Sequence, residues 1–171
     1  MNCLFVIDVQ NGFVTEKTKH VVPRIISLME SFNGMIIATK FINVEKSPFQ
    51  QIMHWYGLRS SPETDVVKDI AKHANFIVEK AIYSACVEDV KNLLTKNKID
   101  EAYVAGIDTD CCVLKTAIDL FEIGISPIVL ADYCASNGGE RSHMAGITVL
   151  ERNIGRQQII FGRWKQAEVE L

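Results

Sequence analysis

Short apolar runs alternate along the chain with segments of helical periodicity, and this alternation constrains the fold more than any other feature. The predicted strands are Leu4–Val9, Met35–Ile42, Phe76–Val78, Ala102–Ala105, Pro127–Leu130 and Gln158–Phe161. The predicted helices are Val21–Phe32, Glu88–Lys96, Cys111–Ile123 and Glu140–Asn153. Strands joined through helices need crossover connections, which give a parallel sheet covered on both faces. We therefore expect a three-layer α/β/α protein with a mostly parallel, six-stranded sheet, formed by a single domain over residues 1–171.

The composition argues against several classes of partner. The net charge is −3, so we expect no surface for nucleic acid or anionic lipid. The sequence contains neither a GxGxxG motif nor a P-loop, and no apolar run approaches the ~20 residues that cross a membrane. Five cysteines without a basic leader or a CxxC pair predict reduced thiols in a cytoplasmic protein.

Polar side chains follow three of the predicted strands. Asp8 lies at the end of the first strand, Lys80 follows the third, and the segment from Asp108 to Cys112 follows the fourth. Ligands of open α/β sheets bind outside the carboxyl ends of the strands. The sequence therefore predicts that an acid, a lysine and a thiol meet in one crevice as a base, an electrostatic partner and a nucleophile.

The two adjacent thiols lie where a helix is expected to begin. Thr109 or Asp110 is a good N-cap, which places Cys111 and Cys112 in the first turn. A helix N-terminus and a nearby lysine both lower a thiol pKa, so we expect a thiolate at neutral pH. The other three cysteines, Cys3, Cys86 and Cys134, are typical of inert core residues. His143 is expected to be structural and remote from the strand ends, and the other histidines lack the spacing of a metal site.

Three blocks of sequence resemble, in order, those of the isochorismatase-like cysteine hydrolases. Residues Val104–Phe121 read V-A-G-I-D-T-D-C-C-V-L-K-T-A-I-D-L-F and match each fixed position of the family's nucleophile block, roughly G-x-x-T-D/N-x-C-V-x-x-T-A. Residues Phe5–Phe13, F-V-I-D-V-Q-N-G-F, resemble the opening block D-x-Q-N-D-F, with Gly12 in place of the second aspartate. Residues Glu79–Ala85, E-K-A-I-Y-S-A, resemble the block K-x-x-x-S-A. The likeness covers essentially the whole chain.

This resemblance implies a Rossmann-like sheet, the isochorismatase-like fold, and assigns roles to single residues. It implies a catalytic triad of Asp8, Lys80 and Cys112, since the family's nucleophile directly precedes the valine of its block. It also implies a cis peptide at Ile107–Asp108 and an oxyanion hole formed by the N–H groups of Asp108 and Cys112. The expected walls of the substrate pocket are Phe13, Trp55, Tyr56 and Cys111.

Two departures from the family narrow the expected chemistry. Nicotinamidases of this family carry an Asp-x-His metal site after the second strand, whereas residues 39–45 here read T-K-F-I-N-V-E. Isochorismatases proper lack the nucleophilic cysteine that is present here as Cys112. We therefore expect a hydrolase without metal or other cofactor, acting on a small amide, carbamoyl or imide-like molecule. We also expect a homo-oligomer.

Two alternatives from other functional classes remain open at this stage. The chain is consistent with a non-catalytic protein that binds a small molecule or serves as a scaffold, although such a protein usually loses part of its catalytic set. It is also consistent with a thiol redox sensor that uses Cys111 and Cys112. A disulfide between adjacent cysteines closes a strained ring and is easily reduced.

Overall fold

The structure, a computed structural model, describes residues 1–164. Its strands are β1 Asn2–Ile7, β2 Met35–Phe41, β3 Phe76–Lys80, β4 Glu101–Ile107, β5 Ser126–Ala135 and β6 Ile159–Ile160. Its α-helices are α1 Val22–Ser31, α2 Pro48–Gln51, α3 Lys68–His73, α4 Glu88–Lys96, α5 Leu114–Glu122 and α6 Glu140–Ile154. The strands form one sheet in the order β3-β2-β1-β4-β5-β6, and neighbouring strands are parallel.

Strand β1 shows why the sheet is covered on both faces. Cys3, Phe5 and Ile7 belong to a core cluster that contains apolar side chains of α4, α5 and α6. Leu4 and Val6 point to the opposite side, into a cluster with apolar side chains of α1 and α3. Successive side chains of a strand alternate between faces, so an uninterrupted apolar run requires helices on both sides. The expected three-layer fold with a six-stranded sheet is confirmed.

The order of the strands reverses between β1 and β4. The chain first adds strands on one side of β1 and then crosses over to β4 on the other side, with Ile7 of β1 in register with Gly106 of β4. At such a switch point the loops that follow the two strands diverge and leave a crevice. Asp8 directly follows β1 and the segment from Asp108 to Cys112 directly follows β4, which places both at this crevice.

The element boundaries differ from the sequence-based expectation where local geometry intervenes. The expected helix Cys111–Ile123 begins instead as a π-helical turn, Thr109–Val113, that leads into α5. Strand β5 extends well past the expected Pro127–Leu130, with a register irregularity against β4, and its later residues include polar side chains that an apolar pattern cannot reveal. The connection 43–65 contains the short helix α2. Within residues 1–164 no helix has the length and apolarity needed to span a membrane.

Gly106 has no room for a side chain, and we expect Gly106→Ala to lower the free energy of unfolding by about 4 kcal/mol or more. Its φ is +133°, and an added Cβ would overlap the backbone oxygen and nitrogen of Ile7, which are held in the sheet. Urea denaturation followed by circular dichroism measures the loss.

Gly124→Ala is the matched control for this prediction. Gly124 also has a positive φ, +83°, but no atom lies within 4 Å of its added Cβ. The control should lose only about 1 kcal/mol, the cost of the backbone conformation alone. Equal losses for the two variants would show that the approach of β1 to β4 does not require glycine.

Candidate active site

The three side chains expected at the strand ends come together in the structure. Lys80 Nζ, at the end of β3, donates a hydrogen bond of 2.7 Å to Asp8 Oδ2, after β1. The same nitrogen lies 3.7 Å from Cys112 Sγ in the turn after β4. Both charged side chains have 0% exposure. A buried acid, lysine and thiol therefore lie together beside the switch in strand order.

The ammonium of Lys80 is fixed by a complete set of acceptors. Besides Asp8, Nζ donates to the carbonyl oxygens of Ile82 at 2.9 Å and Tyr83 at 3.1 Å. An ammonium has three N–H donors, and these three oxygens can use all of them. The sulfur of Cys112 is therefore an additional neighbour of the positive charge. Nζ also lies 5.2 Å from the centre of the Phe41 ring, within the range of a cation–π contact.

Asp8 is held by a residue that the sequence did not single out, Thr39 of β2. The Thr39 hydroxyl donates to Asp8 Oδ1 at 2.6 Å and accepts the Asp8 backbone N–H at 3.0 Å. Asp8 itself has a positive φ of 48°, which turns the chain sharply at the strand end. Thr39 is buried within a strand, where threonine is common. No sequence signal therefore separated it from an ordinary strand residue.

The state of the Cys112 thiol differs from the expectation. Burial raises its pKa well above the ordinary value, the Asp8 carboxylate raises it further, and the Lys80 ammonium only partly opposes them. The expected thiolate at neutral pH is therefore wrong: the lysine charge is already neutralised by Asp8, and burial disfavours a second anion beside it.

Backbone hydrogen bonds to Asp108 hold the turn that carries Cys112. The Ile107–Asp108 peptide is cis, and the Asp108 carbonyl accepts the N–H groups of Cys111 and Val113, each at 3.1 Å. The turn has no side-chain cap, so the expected N-cap by Thr109 or Asp110 is wrong.

Thr109 has a different partner, which also corrects the placement of His143. The Thr109 hydroxyl lies 2.8 Å from His143 Nδ1, so His143 touches the turn that carries Cys112 instead of lying far from the strand ends. Helix α6 comes this close because Gly146 has no side chain to hold it away from Asp110. Burial lowers the pKa of His143, which favours its neutral form.

An apolar cavity of about 200 Å³ opens above Cys112. The expected walls Phe13, Trp55 and Cys111 line it. Further lining residues that the sequence did not single out are Phe41, Phe49, Met53 and Tyr83.

The prediction that Tyr56 lines the cavity is wrong. Tyr56 is 58% exposed and borders a separate surface depression with Arg59 and Glu63. Trp55 instead packs in a cluster of apolar side chains and stacks on Phe13 at a centroid distance of 6.1 Å, whereas Tyr56 lies outside this cluster.

Asp108 also lines this cavity. Its Oδ1 accepts two hydrogen bonds from Asn137, one from the backbone N–H at 2.8 Å and one from Nδ2 at 2.9 Å. Burial is the main reason that the pKa of this carboxyl rises to about 6, with smaller contributions from Asp110 and Asp8. Asp108 makes no ion pair within the described part of the chain. The charged form of Asp108 therefore lowers the free energy of unfolding of the protein.

The segment after β2 does not fit the metal site of the nicotinamidases. Asn43 is buried, and its Nδ2 donates to the carbonyl oxygens of Trp55 and Gly57, each at 3.0 Å. Its Oδ1 accepts a hydrogen bond from the Ser47 hydroxyl at 2.6 Å. The amide thus serves the loop itself. Among residues 1–164, no group of three or more histidine, cysteine, aspartate or glutamate side chains is arranged to hold a metal ion.

A six-stranded parallel sheet with helices on both faces is the fold of the isochorismatase-like proteins. The chain belongs to the isochorismatase family: the model of the Isochorismatase domain matches residues 2–158.

Individual proteins resemble this chain in sequence or in fold. Isochorismatase family protein 1B of Dictyostelium discoideum is 28% identical over 143 residues, which are 80% of this chain and 64% of that protein. A nicotinamidase of Acinetobacter baylyi is 29% identical over 173 residues, covering 78% of this chain and 81% of the enzyme. The crystal structure of N-carbamoylsarcosine amidase from Thermoplasma acidophilum has the same fold, with a TM-score of 0.82 and 22% identity over 98% of each chain. Of the length of the Dictyostelium protein, this chain spans slightly less than two thirds.

Asp108→Asn should stabilise the protein at about pH 7.5 by about 1–3 kcal/mol. The pKa of Asp108 is raised from 3.8 to about 6 in the folded state, so the native protein binds this proton more tightly than the unfolded chain. The carboxyl therefore lowers stability above pH 6, and the penalty disappears as the pH falls to 3.8. Urea denaturation at the two ends of this range measures the effect.

The control is Asp89→Asn, an exposed aspartate in the first turn of α4. It removes the same charge but should give no gain, because an acid at a helix N-terminus is mildly favourable. A gain for Asp108→Asn that is equally large at low pH would contradict the assignment of the cost to the charged carboxylate.

Proposed function

We propose that this chain is a cysteine hydrolase that cleaves a C–N bond of a small amide, carbamoyl or imide-like molecule through a thioester on Cys112. The observation that carries the proposal is the placement of Cys112 Sγ beneath a cavity large enough for a small molecule and 3.7 Å from Lys80 Nζ, which is itself bonded to Asp8. This arrangement supplies a nucleophile, a base and a fixed positive charge at one point.

The first half of the reaction follows from the protonated state of the thiol. As the substrate carbonyl approaches Cys112, the Asp8 carboxylate takes the thiol proton and the sulfur bonds to the carbonyl carbon. The oxyanion of the tetrahedral intermediate accepts hydrogen bonds from the backbone N–H groups of Asp108 and Cys112. The C–N bond then breaks, Asp8 returns its proton to the departing nitrogen, and the acyl group remains on the sulfur.

The second half releases the acid. Water attacks the thioester carbonyl while Asp8 takes one of its protons, and the sulfur leaves as the new carboxylic acid forms. The proton on Asp8 returns to the Cys112 sulfur, which restores the resting thiol. Lys80 keeps its proton throughout: its charge holds Asp8 in position and offsets the negative charge that develops on the sulfur.

The named relatives support hydrolysis of a C–N bond as the reaction type. One is a nicotinamidase and another an N-carbamoylsarcosine amidase. Burial raises the pKa of both Cys111 and Cys112, which makes the redox sensor a poorer explanation of the paired thiols. The cytoplasmic location, the homo-oligomer and the single domain over residues 1–171 stay predictions.

Cys112→Ala should reduce turnover by at least about a thousandfold, because it removes the nucleophile. Cys111→Ala should retain measurable turnover, because Cys111 lines the cavity but is not bonded to Asp8 or Lys80 in the structure. An ammonia-release screen over small amides measures both variants, and intact-protein mass spectrometry of the wild type detects the acyl adduct. Turnover in Cys112→Ala together with its loss in Cys111→Ala would transfer the role to the neighbouring thiol.

Thr39→Val should lower kcat by about tenfold or more, because it leaves Asp8 Oδ1 without its hydroxyl partner at 2.6 Å. Thr39→Ser keeps the hydroxyl and should retain most of the wild-type kcat. The same amide screen supplies the assay, and circular dichroism checks that both variants fold. If the valine and serine variants lose activity equally, Thr39 acts through packing and not by positioning Asp8.

A further inference from the structure

Building on the proposed hydrolase, we infer that the Asp108 side chain selects substrates that carry a cationic or hydrogen-bond-donating group next to an apolar body, and that the cavity disfavours carboxylate-bearing substrates. The role concerns the side chain alone, since the backbone N–H of Asp108 belongs to the proposed oxyanion hole. Asp108 would then act as a specificity-determining residue at the cavity wall, separate from the acid–lysine–thiol cluster.

One oxygen of the Asp108 carboxylate is available to a bound molecule. Oδ1 is occupied by its two bonds from Asn137. Oδ2 makes no hydrogen bond within the described residues, yet it is not one of the sealed polar atoms, so it is accessible. Asp108 lines the cavity, and we place this accessible oxygen on that wall, where a ligand would meet it. A carboxylate oxygen only accepts hydrogen bonds, so its natural partner is an N–H group, and most strongly a cationic one.

The Asp108 carboxylate is oriented by Asn137, a residue that has further hydrogen-bond partners of its own. Asn137, which donates twice to Oδ1, also donates from Nδ2 to the Phe13 carbonyl at 3.1 Å and accepts the Thr15 hydroxyl at 2.8 Å. These bonds tie the loop after β5 to the loop after β1 around the carboxylate. A side chain oriented by neighbours that are themselves fixed is what selective recognition requires.

The charges around the cavity favour a cation over an anion. Lys80 is the cation nearest to the cavity floor, but its ammonium is already satisfied by Asp8 and two carbonyl oxygens. The residues that line the cavity include no lysine, arginine or histidine. A substrate carboxylate would therefore lose its water without gaining a partner and would face Asp108 directly. A substrate ammonium would instead gain that carboxylate.

The aromatic walls reinforce the same preference. Phe13, Phe49, Trp55 and Tyr83 surround the cavity, with Phe13 stacked on Trp55 and Phe49 edge-on to Tyr83 at 5.0 Å. Aromatic faces attract cations and supply apolar contact for a flat substrate body. With about 200 Å³ of space, the cavity accommodates a molecule the size of a substituted benzamide.

Three para-substituted benzamides of similar size test the inference by binding, with no need for turnover. The probes are para-aminomethylbenzamide as the cation, para-hydroxymethylbenzamide as the neutral donor and para-carboxybenzamide as the anion. Isothermal titration into the full-length Cys112→Ala protein avoids cleavage. We expect the Kd of the cation to be at least about tenfold lower than that of the anion, with the neutral donor between them. A cation that binds no better than the anion overturns the inference.

Asp108→Asn in the Cys112→Ala background should reduce the ratio of the anion Kd to the cation Kd by about tenfold, because it removes the charge and keeps the shape. Asp89→Asn, which removes an exposed charge outside the cavity, should leave the ratio unchanged. A ratio that survives Asp108→Asn overturns the role of this side chain. The titrations on the parent protein test the preference even if the double variant folds poorly.

Ammonia release from the same benzamides by the wild-type protein separates this inference from the proposed function. Preferential binding of the cation without any ammonia release from the wider amide screen would reject the hydrolase and support the selectivity. Turnover of small amides with no charge preference in binding would support the hydrolase and reject the selectivity.

Discussion

The buried ion pair between Asp8 and Lys80 is the interaction on which the rest of the site depends. Both side chains have 0% exposure, and removing two charges from water costs several kcal/mol per ion unless hydrogen bonds replace the lost solvent. Thr39 supplies the missing donor to Asp8, while Ile82 and Tyr83 supply carbonyl oxygens to Lys80. The pair therefore ties together the ends of β1, β2 and β3, and it fixes the floor on which Cys112 rests.

This neutralised pair explains why the thiol differs from the expectation drawn from sequence. A free lysine beside a thiol would lower the thiol pKa, but a lysine already bonded to a carboxylate offers only part of its charge. Burial and Asp8 therefore raise the pKa of Cys112. In the proposed mechanism, Asp8 accepts the proton only as the sulfur attacks. The reactive anion would then form in the presence of substrate, which would protect the thiol from other electrophiles.

Asp108 differs from Asp8 because no cationic side chain in the described part of the chain balances its charge. It lines the cavity, lies near two other acids and makes no ion pair within residues 1–164, so burial raises its pKa to about 6. Asn137 holds one oxygen and leaves the other accessible. The presence of a carboxylate that lowers stability at neutral pH is most simply explained by a role in ligand binding. The same residue thereby connects the predicted gain in stability of Asp108→Asn with the proposed loss of ligand selectivity.

The sequence alone determined the layered fold and the placement of Asp8, Lys80 and Cys112, because the alternation of apolar runs and helical segments orders the strands and parallel strands end at one edge. Tertiary structure determines those features of the site that give no signal in the local sequence. Thr39 looks like any strand residue until β2 lies beside β1, and Tyr56 is separated from Trp55 only by the course of a loop. The pKa of a buried thiol depends on charges from distant strands. Position along the chain predicts which groups meet, whereas their protonation and orientation depend on packing.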